Sequence, residues 1–238
     1  MKTSLPDYSV RQSPKAKNLR LKVTREDGLL VVVPRGYDEK KIPVLLKQKK
    51  VWIADALKRI GETKRFLEPK PVKHLPEAVR LVALGETWSV ANRHEANHPG
   101  IRLRTENGKL VISGWGLNRE AVPRKLKDWL RVKGREGLFP VAEKLATKHR
   151  LKLGGLLVKS QRTRWASCSA RRNLSLNTKL LFLSPDLVRY VVIHELCHTV
   201  HMSHSREFWR LLASHEPGYK VLDQTLREAW KAVPQWVF

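Results

Sequence analysis

The residues whose types and spacing could do chemistry are His194-Glu195-Leu196-Cys197-His198. Side chains four apart share one helical face, so both imidazoles can reach one cation, and the glutamate beside the first can address a water on it. With 9 His and 15 Glu among 238 residues, about 0.02 chance matches to H-E-x-x-H are expected. A catalytic zinc needs a third protein ligand, and the chain continues Thr199-Val200-His201-Met202-Ser203-His204. Were the helix to run on, His201 would stand ~10.5 Å along the axis from His194. Three ligands strung along one face cannot close a tetrahedral site. The chain must therefore turn before the third ligand, at Ser203 with a new N-cap at Ser205, which favours His204 over His201. His215, Glu207 and Glu216 are weaker alternatives, and His74, His94, His98 and His149 show no ligand spacing.

Three neutral imidazoles would leave one zinc per chain with its full charge and an open position, where a bound water has its pKa lowered toward neutrality. Glu195 would take the proton of that water and deliver it to the leaving group. The donor that meets the developing oxyanion stays open among Arg164, Tyr190, Arg206 and His201, and no substrate-binding residue is identified. Cys197 points away from the histidine face and is expected as a packed thiol. With only Cys168 besides, the chain has no disulfide framework.

The metal motif must ride on a helix, and its start is marked. Ser184 offers an N-cap hydroxyl, Pro185 suits the first helical position, and Asp186 complements the dipole. Further helices are expected at Ser205–Ser214 and Tyr219–Val233, and short strands at Leu156–Lys159, Arg164–Cys168 and Asn173–Asn177. Upstream, Asn18–Pro34 reads as a β-hairpin around Asp27-Gly28, followed by a helix over Ile42–Ile60 that Gly61 can end. Glu68–Pro76, with three prolines, reads as a linker. A strand-rich unit spans Val79–Val111, with turns at Gly85-Glu86 and Asn107-Gly108. A helical stretch follows over Arg119–Arg150, in which Trp129, Leu130, Leu138, Val141 and Leu145 are core positions and Pro140 a break or start. The expected organisation is residues 1–76, 77–150 and a catalytic region at 151–238.

Composition sets the surroundings. The 42% hydrophobic and 29% charged residues belong to a globular chain, with no apolar run long enough to span a bilayer and no secretory signal; a cytoplasmic location is expected. Residues 1–150 carry 34 basic and 16 acidic side chains, a net +18, against 13 and 6, a net +7, in the remainder. Such a field attracts polyanions, or is simply a solvated surface. No base-reading motif is present, so any nucleic-acid contact is expected to be non-specific phosphate contact. Oligomeric state is not legible.

The stretches Arg164-Trp165-Ala166-Ser167-Cys168, Leu174-Ser175-Leu176-Asn177, Tyr190 to His198, His204-Ser205 and Phe208-Trp209 resemble, in order and spacing, the YgjP-like metal-dependent hydrolases, related to the WLM and SprT-like zinc peptidases. Arg11–Leu21 is also similar to the family's N-terminal segment, so the resemblance covers most of the chain, most specifically residues 160–210. It implies an α+β fold with a zincin-like catalytic region, a small sheet beside the metal helix, and zinc on His194, His198 and His204. Ala166 stands where that family usually has glycine, which restricts the backbone there. Trp165 and Cys168 are expected to pack under the metal helix. Relatives of the WLM and SprT type are similar to proteases acting on DNA-associated proteins.

The leading expectation is a zinc metallopeptidase acting on protein or peptide. The alternatives are a zinc-dependent nucleotide pyrophosphatase or phosphoesterase, and a nucleic-acid-binding protein with a structural metal. The last is disfavoured because a closed site would need a fourth protein ligand.

Overall fold

The computed structural model describes residues 6–24, 28–67, 76–94, 100–114 and 121–238. They form two compact units, residues 1–68 and 69–238, with a mixed α+β content.

In the first unit the apolar run Gly28-Leu-Leu-Val-Val-Val33 is strand β3, central in a three-stranded sheet. Such a run, unlike an alternating one, suits a strand covered on both faces. It pairs in parallel with β1 (Tyr8–Gln12) and antiparallel with β2 (Arg20–Thr24). Gly28 takes φ +64° at the turn into β3; its expected partner Asp27 lies outside the described residues. The antiparallel pair matches the expected hairpin, whereas β1 was not foreseen. Leu29, Val31 and Val33 pack against Ile42, Leu46 and Ile53, carried by α1 (Ile42–Gln48) and α2 (Lys50–Leu67). The single helix expected here is thus two. The ladder breaks at Lys49 (φ −99°, ψ 13°), and α2 runs past Gly61 to Leu67. An interior glycine costs only about 1 kcal/mol relative to alanine, too little to end a helix alone. The expected linker falls largely on residues 68–75, outside the described residues.

The second unit opens with a four-stranded sheet ordered β4-β5-β7-β6, made of β4 (Ala78–Leu81), β5 (Glu86–His94), β6 (Arg102–Glu106) and β7 (Lys109–Gly114). Both expected turns are present. Gly85 sits at φ +67° after a 3-10 turn, and Asn107-Gly108 (φ 46° and 75°) closes the β6–β7 hairpin, as a two-residue turn with both φ positive requires. The register that the sequence did not disclose is the parallel pairing of β5 with β7.

Helix α3 (Ala121–His149) runs unbroken through Pro140, contrary to the expected break. A proline ring forfeits one helical hydrogen bond and crowds the preceding turn, at about 3 kcal/mol. Burial of Leu130, Leu138, Ala142 and Leu145 on both sides of it offsets that loss. Trp129 is also buried, while Val141 is only partly so.

The third sheet, ordered β8-β10-β9, comprises β8 (Leu156–Lys159), β9 (Ala166–Cys168) and β10 (Leu174–Asn177). β10 is buried throughout, parallel to β8 and antiparallel to the edge strand β9. A 3-10 helix, Thr178–Phe182, follows with every residue buried. Helices α4 (Pro185–Cys197), α5 (Arg206–His215) and α6 (Tyr219–Glu228) complete the unit; the chain then becomes 3-10 over Ala229–Ala232, so α6 stops short of the expected Val233. One hydrophobic core joins Leu126 and Leu138 of α3 with Leu174 and Leu176 of β10 and Val192 and Leu196 of α4.

Candidate metal centre

The centre is built by how α4 starts and ends. Ser184 caps it, accepting from the Leu187 N–H at 3.4 Å, with Pro185 in the first turn. Tyr190 to Ile193 are all buried, which anchors the helix and fixes the rotation of the next turn. The regular helix ends at Cys197, and His198 is its C-cap. There the Thr199 hydroxyl donates to the Leu196 carbonyl at 2.7 Å, and the His201 N–H donates to the Cys197 carbonyl at 3.0 Å. Ser205 then caps α5, accepting from the Phe208 N–H. The chain therefore reverses between His201 and Ser205, as the ligand spacing requires.

This reversal brings His194, His198 and His204 together, with one ring nitrogen of each lying within 4.8 Å of the others. The Nε2 atoms of His194 and His204 stand 3.0 Å apart. His198 Nδ1 lies 3.0 Å from the His201 carbonyl. A carbonyl can only accept, so Nδ1 carries the proton and Nε2 is left with a free lone pair, the carbonyl fixing the tautomer and the ring orientation as partners of metal-binding histidines commonly do. His201 itself is not in the cluster and contributes its backbone. His215 faces His149 instead, Nδ1 to Nδ1 at 3.1 Å. Glu216 pairs with Arg189 at 2.8 Å, and Glu207 is exposed outside the cluster. His94 is likewise outside it, while His74 and His98 fall outside the described residues.

Burial disfavours the protonated form of two of the three histidines. Burial and the neighbouring imidazoles lower the pKa of His194 to about 4, and burial lowers that of His198, so both are neutral donors near pH 7. One ring nitrogen of each of the three histidines faces a common point that a cation could occupy. The donor set suits zinc.

Glu195 projects from the same turn into a cavity of about 280 Å³ that also exposes Arg164, Trp165, Tyr190, His194 and Asp223. Burial raises its pKa to about 7, opposed by a hydrogen bond from the Cys168 N–H at the end of β9 and by the charge of Arg164. Cys197 is fully buried, as expected, and burial pushes its thiol up to about 12.

Several contacts that support the site were not legible in the sequence. Phe208 is fully buried and stacks on His198 with centroids 4.5 Å apart. It also meets the edges of His194 and His204. Trp209 stacks on His204, and Tyr219 on Trp209. Tyr190 donates to Asp223 at 3.1 Å. Trp165 is buried, but it stacks on Trp230 at 3.7 Å and also lines the cavity. The available signals for Phe208 and Trp209 were their place in the family-like motif and their position one turn into a capped helix; nothing in sequence said which rings they would meet. Phe208→Ala should cost about 3–5 kcal/mol by cavity formation, read as a lower urea midpoint with an unchanged slope. Metal affinity should fall with it, because all three imidazoles lose a wall.

A helix-borne histidine pair, a third histidine returned by a turn and a half-buried carboxylate beside them form a cluster that could hold a metal ion. Residues 17–229 match the YgjP-like family, metallopeptidase domain, and the chain belongs to that family and is a hydrolase. Among solved structures it is similar to the metallopeptidase zymogen jannalysin of Methanocaldococcus jannaschii, at 16% identity and TM-score 0.35, over 38% of this chain and 94% of that one. It is likewise similar to the zymogen abylysin of Pyrococcus abyssi, at 21% identity and TM-score 0.36, over 38% and 92%. No curated protein matches. Among the described residues no helix is long and apolar enough to cross a membrane.

Proposed function

We propose that this chain is a zinc metallopeptidase of zincin-like architecture that holds one zinc on His194, His198 and His204 and uses Glu195 as its acid-base residue. The reading rests on three imidazole nitrogens within 4.8 Å of one another beside a half-buried carboxylate in a shared cavity. When bound, zinc on three neutral imidazoles polarises a substrate carbonyl and lowers the pKa of a water toward neutrality.

The chain's own residues supply the rest. The Cys168 N–H holds one side of the Glu195 carboxylate, leaving the other oxygen lone pairs to take a proton from the attacking water. The same carboxyl then gives that proton to the leaving amine nitrogen. His198 is kept in one tautomer by the His201 carbonyl, so its ligand nitrogen needs no rearrangement. Among the described residues the cluster has three donors rather than four, which favours an open catalytic site over a closed structural one. A cytoplasmic setting, and recruitment of polyanions by the basic surface, belong to the same reading; the second predicts oligonucleotide affinity that falls as salt rises.

The direct test offers the zinc-loaded full chain casein, with and without DNA, and a panel of nucleoside triphosphates. Peptide cleavage without phosphate release is the expected result. Phosphate release from nucleotides alone would transfer the site to the pyrophosphatase class, and turnover of neither would remove the enzymatic reading of these residues.

A further inference from the structure

We propose that Arg164 selects substrates for this site by pairing with a carboxylate of the bound peptide, either an acidic side chain or a free C-terminus. The inference rests on the peptidase reading and names the substrate class of the same cavity.

Arg164 sits in the turn between β8 and β9, and its backbone is held by buried donors rather than left to drift. Asn177, fully buried, donates through Nδ2 to the Arg164 carbonyl at 2.6 Å and to the Gln161 carbonyl at 2.8 Å. The Lys179 ammonium, 2% exposed, donates to the same Gln161 carbonyl at 2.7 Å. The Asn177 N–H donates to the Trp165 carbonyl at 3.0 Å. A buried amide and a buried ammonium spent on loop carbonyls are costly unless fully paired. Here they fix the point from which the guanidinium departs.

That guanidinium is exposed, lines the cavity beside Glu195, and makes no ion pair with any carboxylate among the described residues. The other acid of the cavity is already engaged. Asp223 accepts from the Tyr190 hydroxyl at 3.1 Å and from Arg227 at 2.7 Å. The cavity cation with no salt-bridge partner among the described residues is therefore Arg164, whose charge acts on Glu195 without forming an ion pair with it, beside the apolar side chains of Trp165, Val191 and Leu226. A planar fork with five donors fits a carboxylate in two parallel hydrogen bonds. A peptide with a carboxylate near an apolar side chain satisfies both features.

The test uses three otherwise identical peptides: one with an internal Glu and an amidated C-terminus, one with Gln and a free C-terminus, and one with Gln and an amidated C-terminus. On zinc-loaded wild type, one of the first two should exceed the third in kcat/KM by roughly 10- to 100-fold, the range of a charge-assisted hydrogen bond, expressed in KM. Which one does so tells the side chain from the terminus. Arg164→Gln should collapse that ratio toward one. Arg164→Lys should keep part of it, and Arg164→Glu should drive it below one. Anisotropy of the labelled peptides on zinc-loaded Glu195→Gln should show the same order of affinities.

Equal treatment of the three peptides by wild type overturns the proposal. So does an equal fall in kcat for all three in Arg164→Gln, which would make Arg164 a donor to the developing charge. If no peptide is cut the peptidase reading fails, and anisotropy still decides the present one: equal affinities overturn it.

Discussion

Replacing Glu195 by Gln should lower kcat for peptide cleavage by about 10²- to 10⁴-fold, the usual contribution of a positioned acid-base group, with metal still bound at one ion per chain. The substitution keeps the shape of the side chain and a carbonyl oxygen to accept from the Cys168 N–H, so the fold and the three imidazoles keep their places. What is lost is the ability to take and return a proton. Steady-state kinetics and metal content measured on the same preparation separate the outcomes. Activity within a few-fold of wild type would remove Glu195 from the chemistry. Loss of metal together with activity would place it in the metal site instead.

Replacing His198 by Ala should act earlier, at metal uptake. His198 is 9% exposed, is held by the His201 carbonyl and is stacked on Phe208, so it is the most constrained of the three. Its loss leaves two donors, too few for a catalytic site. Metal affinity should fall by more than the roughly 10–100-fold that removing a mere orienting partner costs, and peptide cleavage should fall to background at stoichiometric zinc. A competition titration against a chromogenic chelator reads the affinity. Unchanged affinity would mean that the metal binds elsewhere on the chain.

What could be read from sequence was mostly local. The Ser184-Pro185 start of α4 and the Ser205 start of α5 each depend on a few adjacent atoms, a hydroxyl within reach of one N–H, and both caps are present. The Asn107-Gly108 turn is of the same kind. His204 was favoured over His201 because three ligands strung along one helical face cannot close a tetrahedral site, an argument needing only the rise per residue. The family resemblance, too, lay in short motifs.

The rest depends on partners far along the chain. The apolar strand β3 pairs with β1, which lies before β2 in sequence, and nothing in the run Leu29 to Val33 distinguishes one neighbour from another. Pro140 forbids a helical hydrogen bond locally, yet the core contacts of Leu138 and Ala142 outweigh it. Within Leu174-Ser-Leu-Asn-Thr-Lys-Leu-Leu-Phe-Leu183, Asn177 and Lys179 look like interruptions of a hydrophobic segment. They are instead the donors that tie the Gln161–Arg164 turn to the core. A polar residue in an apolar run is visible in sequence; the carbonyls it satisfies are not.

The most direct test is a zinc titration of chelator-stripped, full-length wild type, followed by casein cleavage. The stripped protein should be inactive, and activity should rise in proportion to added zinc and level off at one equivalent per chain. Cleavage by the stripped protein, or activity indifferent to zinc, would contradict a three-histidine zinc centre as the source of the hydrolysis.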